Sequence, residues 1–113
     1  MKVSSYSFGT IVIEGKKYTA DVIIYPDHVD ASWWRKEGHL LQISDLADIL
    51  ALRPGMLIIG TGKFGMMTVP EETIAFVAAK NIETRVVKTG RAVDLYNSLQ
   101  GTRSVIAALH LTC

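Results

Sequence analysis

Three glycines punctuate Gly60-Thr61-Gly62-Lys63-Phe64-Gly65, directly after the apolar run Met56–Ile59. The letters match G-x-G-x-x-G, whose glycines permit a tight turn and let backbone N–H groups approach a pyrophosphate at a helix N-terminus. Lys63, with Lys88 and Arg91 further along, would supply positive charge. Gly60, Thr61, Gly62, Lys63, Gly65, Lys88 and Arg91 are therefore the candidate set for a small anion or a nucleotide. Three features weigh against a dinucleotide. The next helix signal opens near Thr68 rather than among the glycines, and the following strand ends Val87-Lys88-Thr89 with no acid for a ribose hydroxyl. The chain also lacks the length for two mononucleotide halves. Lys88 and Arg91 would instead favour a 2′-phosphate. A Walker A loop is absent, because Phe64 follows Gly62-Lys63 where a hydroxyl must reach Mg²⁺.

Other chemistry finds less support. No serine sits in a G-x-S-x-G elbow, and Cys113, the only cysteine, has no neighbouring base in sequence. An adjacent terminal carboxylate would oppose its ionisation. His28, His39 and His110 are scattered without metal-ligand spacing. No catalytic residue, metal or cofactor is therefore assigned. His110 reads as a hydrogen-bonded core histidine or as one facing a cleft. Trp33-Trp34-Arg35-Lys36 is more informative: adjacent residues of an extended segment face opposite ways, so one indole can join the core while the other meets solvent or a partner. An exposed Trp beside Arg has the composition of a binding hot spot. Trp34, Arg35, His39 and the loop-tip residue Phe64 are the protein-contact candidates.

These residues need a scaffold, and the periodicities supply one. Phe8–Tyr25 reads as a hairpin turning at Gly15, its return strand alternating through Tyr18, Ala20, Val22 and Ile24. A short strand and a polar turn follow within His28–Leu41. Ser44 is expected to cap a helix that buries Leu46, Ile49 and Leu50 and ends at Arg53-Pro54. Met56–Gly60 is a strand covered on both faces. Thr68-x-x-Glu71 predicts a capping box for a helix with Ile74, Val77 and Ala78 inward and Asn81 at its end. Ile82–Val87 is the next strand, Thr89 the expected cap of a third helix, and Val105–Leu111 the last strand. The order α-β-α-β-α-β after a hairpin predicts one compact layered α/β domain, residues 1–113, with a mixed β-sheet and right-handed crossovers.

Composition narrows the function classes. The formal net charge of +1 carries no polyelectrolyte signature, so nucleic acid is not an expected partner. No apolar run approaches the roughly 18 residues of a membrane span, and MKVSSYSFGT has no secretory h-region. The expected location is the cytoplasm.

The hairpin FGTIVIEGKKYTADVIIYP, the segment WWRKEGH, the loop IIGTGKFG, the helix start RAVDLYN and the closing AALHLTC occur together and in this order. In that respect the sequence resembles the small adipogenesis-associated domain family, which includes an archaeal methanogen protein and a mitochondrial assembly factor for respiratory complex I. The resemblance spans essentially the whole chain. It implies a layered α/β fold on a mixed sheet, no established activity or cofactor, and action through binding other proteins. The assembly factor's mitochondrial targeting extension has no counterpart here, which points to a free-standing version. Only Gly60, Gly62, Gly65 and the Arg35/His39 segment carry over, as shared positions. The expected function is a non-enzymatic, complex-assembly type of protein binding; the alternative is an anion- or nucleotide-binding domain built on loop 60–65.

Overall fold

The computed structural model describes residues 1–113. Its strands are β1 (Val3–Ser7), β2 (Thr10–Ile13), β3 (Lys16–Tyr18), β4 (Val22–Ile24), β5 (Val29–Asp30), β6 (Met56–Thr61), β7 (Glu83–Val87) and β8 (Val105–His110). A 3₁₀ turn, Ile43–Leu46, leads into α1 (Ala47–Leu52), followed later by α2 (Glu71–Ala78) and α3 (Thr89–Leu99). The main sheet runs β5-β4-β8-β6-β7, and β1-β2-β3 form a second, antiparallel sheet. The fold is thus a layered α/β arrangement with a mixed sheet, as the sequence predicts.

The alternation of apolar residues sorts the main sheet's two faces. Val22, Ile24, Met56, Ile58, Ala107 and Leu109 pack with Ile11 and Ile13 of the small sheet and with Ala92, Val93 and Tyr96 of α3. Their sequence neighbours Ile23, Leu57, Ile59, Ile106 and Ala108 pack the opposite way, against Trp33, Leu46, Ile49 and Val77. Every residue of β6 and β8 is buried, as expected for parallel strands covered on both sides. β7 also runs parallel to β6, so α3 crosses over β6 to deliver the chain to β8.

Several local expectations are corrected. The single return strand is in fact two. The chain leaves the hairpin at Tyr18 and enters the main sheet at Val22, because Asp21 turns inward to accept the Leu111 N–H at 2.7 Å. β1, which the sequence reading leaves without an element, completes the small sheet against β2. Ser44 is not a cap. The 3₁₀ turn begins after Gln42, whose N–H is taken by the Asp45 carboxylate at 2.9 Å. Nor does Thr68 cap α2: its N–H bonds His39 and its carbonyl takes the Leu41 N–H, so Thr68 is extended and Pro70 holds the cap position. Thr89 opens α3 with Lys88 at the cap, and its hydroxyl is used elsewhere. Asn81 has φ of 61°, the left-handed turn expected just past a helix end.

Candidate functional site

The glycine loop leaves β6 at the C-terminal end of a parallel strand, the usual edge for a site in an open α/β sheet. Most of its backbone donors are already engaged, the Phe64 N–H being the exception. The Gly62 N–H donates to Thr89 Oγ1 at 2.8 Å, and Thr89 Oγ1 donates in turn to the His110 carbonyl at 2.6 Å. Lys63 N–H bonds the Thr112 carbonyl (2.7 Å), Met66 N–H the main-chain oxygen of Cys113 (2.8 Å), and Met67 N–H the Thr61 carbonyl (3.1 Å). The residues after β8 thus accept from two of the loop N–H groups that would otherwise be open to an anion.

The glycines answer to that packing. A Cβ on Gly60 would lie 2.8 Å from Thr89 Oγ1, and one on Gly62 would lie 2.3 Å from the Cys113 carbonyl carbon. Gly65 has φ of +73°, with the Lys88 side chain 3.4 Å from where its Cβ would stand. Thr61 is buried and donates from Oγ1 to the Val87 carbonyl. Lys63 and Lys88 are exposed. Arg91 lines a groove with Arg85, Asp94 and Ser98 that neither Lys63 nor Lys88 lines. The three cations of the anion-binding candidate set line no common cavity.

The protein-contact candidates also separate. Trp33 is buried and Trp34 is 75% exposed, so the two indoles divide between core and solvent. Phe64 is 61% exposed and packs on Phe8 at a centroid distance of 6.1 Å, forming an aromatic tip that includes a residue from the β1–β2 turn. His39 is exposed. Arg35 requires a correction: its side chain is only 4% exposed and so belongs to the interior rather than to a contact surface.

The reason is a polar cluster that the sequence reading missed. Asp21 Oδ2 accepts from Arg35 Nη2 and from His110 Nδ1, each at 2.8 Å. Arg35 also donates to the Gly38 carbonyl from Nε and Nη2, and its guanidinium lies over the Trp33 ring at 4.5 Å. His39 meets His110 edge-on at 5.5 Å. The cluster ties β4, the 33–39 segment and β8 together. His110 Nε2 is enclosed without a hydrogen-bond partner in the chain, and no cavity is lined by Arg35, His110 or Asp21. The Asp–His geometry resembles half of a catalytic triad, yet no nucleophile is bonded to it. The signal available in sequence was a single acid, Asp21, interrupting the otherwise apolar-patterned run from Tyr18 to Ile24.

Burial alone would raise the Asp21 carboxyl. The hydrogen bonds from His110, the Leu111 N–H and Arg35 outweigh it and hold the group below its ordinary value of 3.8. A carboxylate depressed in the folded state contributes fully above its unfolded pKa and loses that contribution as pH falls through the folded one. Stability should therefore decline below about pH 4, and Asp21→Asn should decline less steeply there. Urea midpoints measured across that range check the slope; equal slopes would remove Asp21 from the account.

Comparisons with known proteins agree with the fold. A conserved hypothetical protein of Pyrococcus horikoshii OT3 superposes with a TM-score of 0.85 at 27% identity, over 100% of both chains. A protein described as MT938 gives a TM-score of 0.83 at 26% identity, covering 99% of this chain and 98% of that one. A Mth938-like domain of Bordetella pertussis gives 0.78 over 97% of this chain and 85% of its own, and at 20% identity it speaks for the fold alone. The family model described as "Protein of unknown function (DUF498/DUF598)" matches residues 3–110, and the chain belongs to that family.

Proposed function

We propose that this chain is a non-enzymatic, cytoplasmic protein-binding domain of the adipogenesis-associated group, acting in the assembly of a larger complex. The observation that carries this reading is the aromatic tip. Phe8 and Phe64 are 48% and 61% exposed yet packed on each other, and Met66 beside them is also exposed. Hydrogen bonds from Lys63 and Met66 to Thr112 and Cys113 hold the loop beneath them. An apolar surface already fixed in place loses little conformational entropy on docking. The mostly engaged N–H groups, and the lack of a cavity lined by Lys63, Lys88 and Arg91 together, favour this reading over the anion-binding alternative.

Affinity capture with tagged wild type, Phe64→Asp and Phe8→Ala tests it. Phe64→Asp should lose the wild-type partner while its circular dichroism and Tm stay unchanged. An aromatic hot spot of this kind is worth at least about 2 kcal/mol, roughly a thirtyfold loss of affinity. Recovery of the same partners by both variants would overturn the reading. So would a thermal shift with a phosphorylated metabolite that Lys88→Ala abolishes; a ligand at 100 times its Kd adds about 2.7 kcal/mol.

A further inference from the structure

A second surface lies at the β5 edge of the main sheet. β5 ends the sheet, so one of its sides has no strand partner. Between β5 and the α1 region run two adjoining cavities that share Tyr25, Asp30 and Asp48. One, of about 410 Å³, is lined by Trp33, Trp34, Lys36 and Asp45 among others. The other, of about 540 Å³, is lined by Val29, Ala31, Ala51 and Leu52. Together they form a groove with apolar walls and an acidic rim.

We propose that this groove takes an extended peptide segment of a partner protein, added as a strand beside β5, with a Lys or Arg side chain held at Asp30 and Asp48. Strand addition in a groove between an edge strand and a helix combines main-chain hydrogen bonds with side-chain pockets. The charge on the lining sets the specificity. Three carboxylates, Asp30, Asp45 and Asp48, face one cation, Lys36. Asp45 is committed, its two oxygens accepting the N–H groups of Lys36 and Gln42. Asp48 makes no hydrogen bond within the chain, and Asp30 uses only Oδ1, for the Ser32 N–H. Burial, followed by the charges of Asp48 and Asp30, pushes up the pKa of the Tyr25 hydroxyl, a residue that lines both cavities.

A further feature fits a peptide rather than a free cation. Trp34 and Leu52 stand exposed along the groove, 75% and 58%, ready to cover aliphatic side chains and the stem of the basic one. The inference deepens the protein-binding reading by naming a partner's chemistry at a surface distinct from the Phe8–Phe64 tip.

The chain's only two tryptophans both line the groove, so intrinsic fluorescence reports occupancy directly. The probes are the blocked pentapeptide Thr-Val-Arg-Val-Thr and its counterpart with Glu in place of Arg. The Arg peptide should change tryptophan emission saturably, with affinity falling as salt is raised, and the Glu peptide should bind roughly tenfold more weakly or worse. Asp48→Asn should narrow the difference between the two peptides, and Asp30→Asn should do the same. Both positions are on the surface of the groove, and unchanged Tm confirms that each variant folds. Equal binding of the two peptides, no saturable change into the millimolar range, or indifference to both substitutions would overturn the proposal. The Phe64→Asp variant should bind the Arg peptide like wild type. Failure of the groove therefore leaves the aromatic tip standing, and failure of the tip leaves the groove.

Discussion

Asp21→Ala is expected to cost about 3–5 kcal/mol, enough to remove much of the stability of a domain this size. The substitution deletes few contacts by area. Its effect comes from what remains: Arg35, with a side chain 4% exposed, would lose its carboxylate, and His110, 6% exposed, would lose its hydrogen-bond acceptor. The Leu111 N–H would also lose its partner at the strand end. Breaking a buried pair costs more than the pair contributes, because the surviving charge stays desolvated. Asp21→Asn should cost less, since its amide oxygen can still accept from the Leu111 N–H while its NH2 faces His110 Nδ1, which accepts in the other tautomer. Arg35→Met, which removes the cation and keeps the stem's packing on Trp33, should also be milder. In the double variant Asp21→Asn with Arg35→Met, the loss should fall short of the sum of the two single losses, because neither charge is then stranded. Urea denaturation followed by circular dichroism measures all four. A loss below about 1 kcal/mol for Asp21→Ala would mean that the cluster is solvated and loosely held.

Asp21 also illustrates where the sequence is silent. The core strands were legible because their chemistry is local: Met56–Ile59 and Val105–Leu109 are unbroken apolar runs, and Ala92, Leu95, Tyr96 and Leu99 repeat at helical spacing. The buried hydrogen-bonded His110 followed from its place in an apolar strand, whereas alternation only allowed Trp33 and Trp34 to divide and left open the packing of both indoles beneath the hairpin. The partners of that histidine did not follow. Arg35 and Asp21 lie 75 and 89 residues from it in sequence, and no local pattern encodes pairings of that range. The same holds for caps. Ser44, Thr68 and Thr89 have the right letters for helix starts, yet longer-range demands decide their roles. Thr68 is drawn into pairing with the 39–41 segment, and the Thr89 hydroxyl bridges Gly62 to His110. The peptide groove is the least legible of all, because its walls come from separate segments and its edge exists only once β5 is last in the sheet.

The glycine loop offers the sharpest separation between two meanings of one motif. If its glycines served a phosphate, Gly62→Ala would chiefly weaken a ligand and leave the free protein nearly as stable. The packing predicts the opposite. Gly62 has φ of +106°, a conformation that alanine adopts only under strain, and the new Cβ would stand 2.3 Å from the Cys113 carbonyl carbon. The tail would have to withdraw. The hydrogen bonds from Lys63 to Thr112 and from Met66 to Cys113 are then at risk along with the clash. Backbone strain of about 1–3 kcal/mol plus those lost bonds, each about 1 kcal/mol net, gives an expected loss of at least about 3 kcal/mol. At roughly 4 °C per kcal/mol, Tm should fall by about 12 °C or more with no ligand present. Gly65→Ala should fall less, because its φ of +73° is within reach of other residues and the nearest atoms belong to the flexible Lys88 side chain. Gly90→Ala should raise Tm slightly, since it sits in the first turn of α3 with open space where a Cβ would go. A Gly62→Ala protein as stable as wild type would show that the tail can leave the loop without penalty, and would return the loop's N–H groups to the list of groups a bound anion can use.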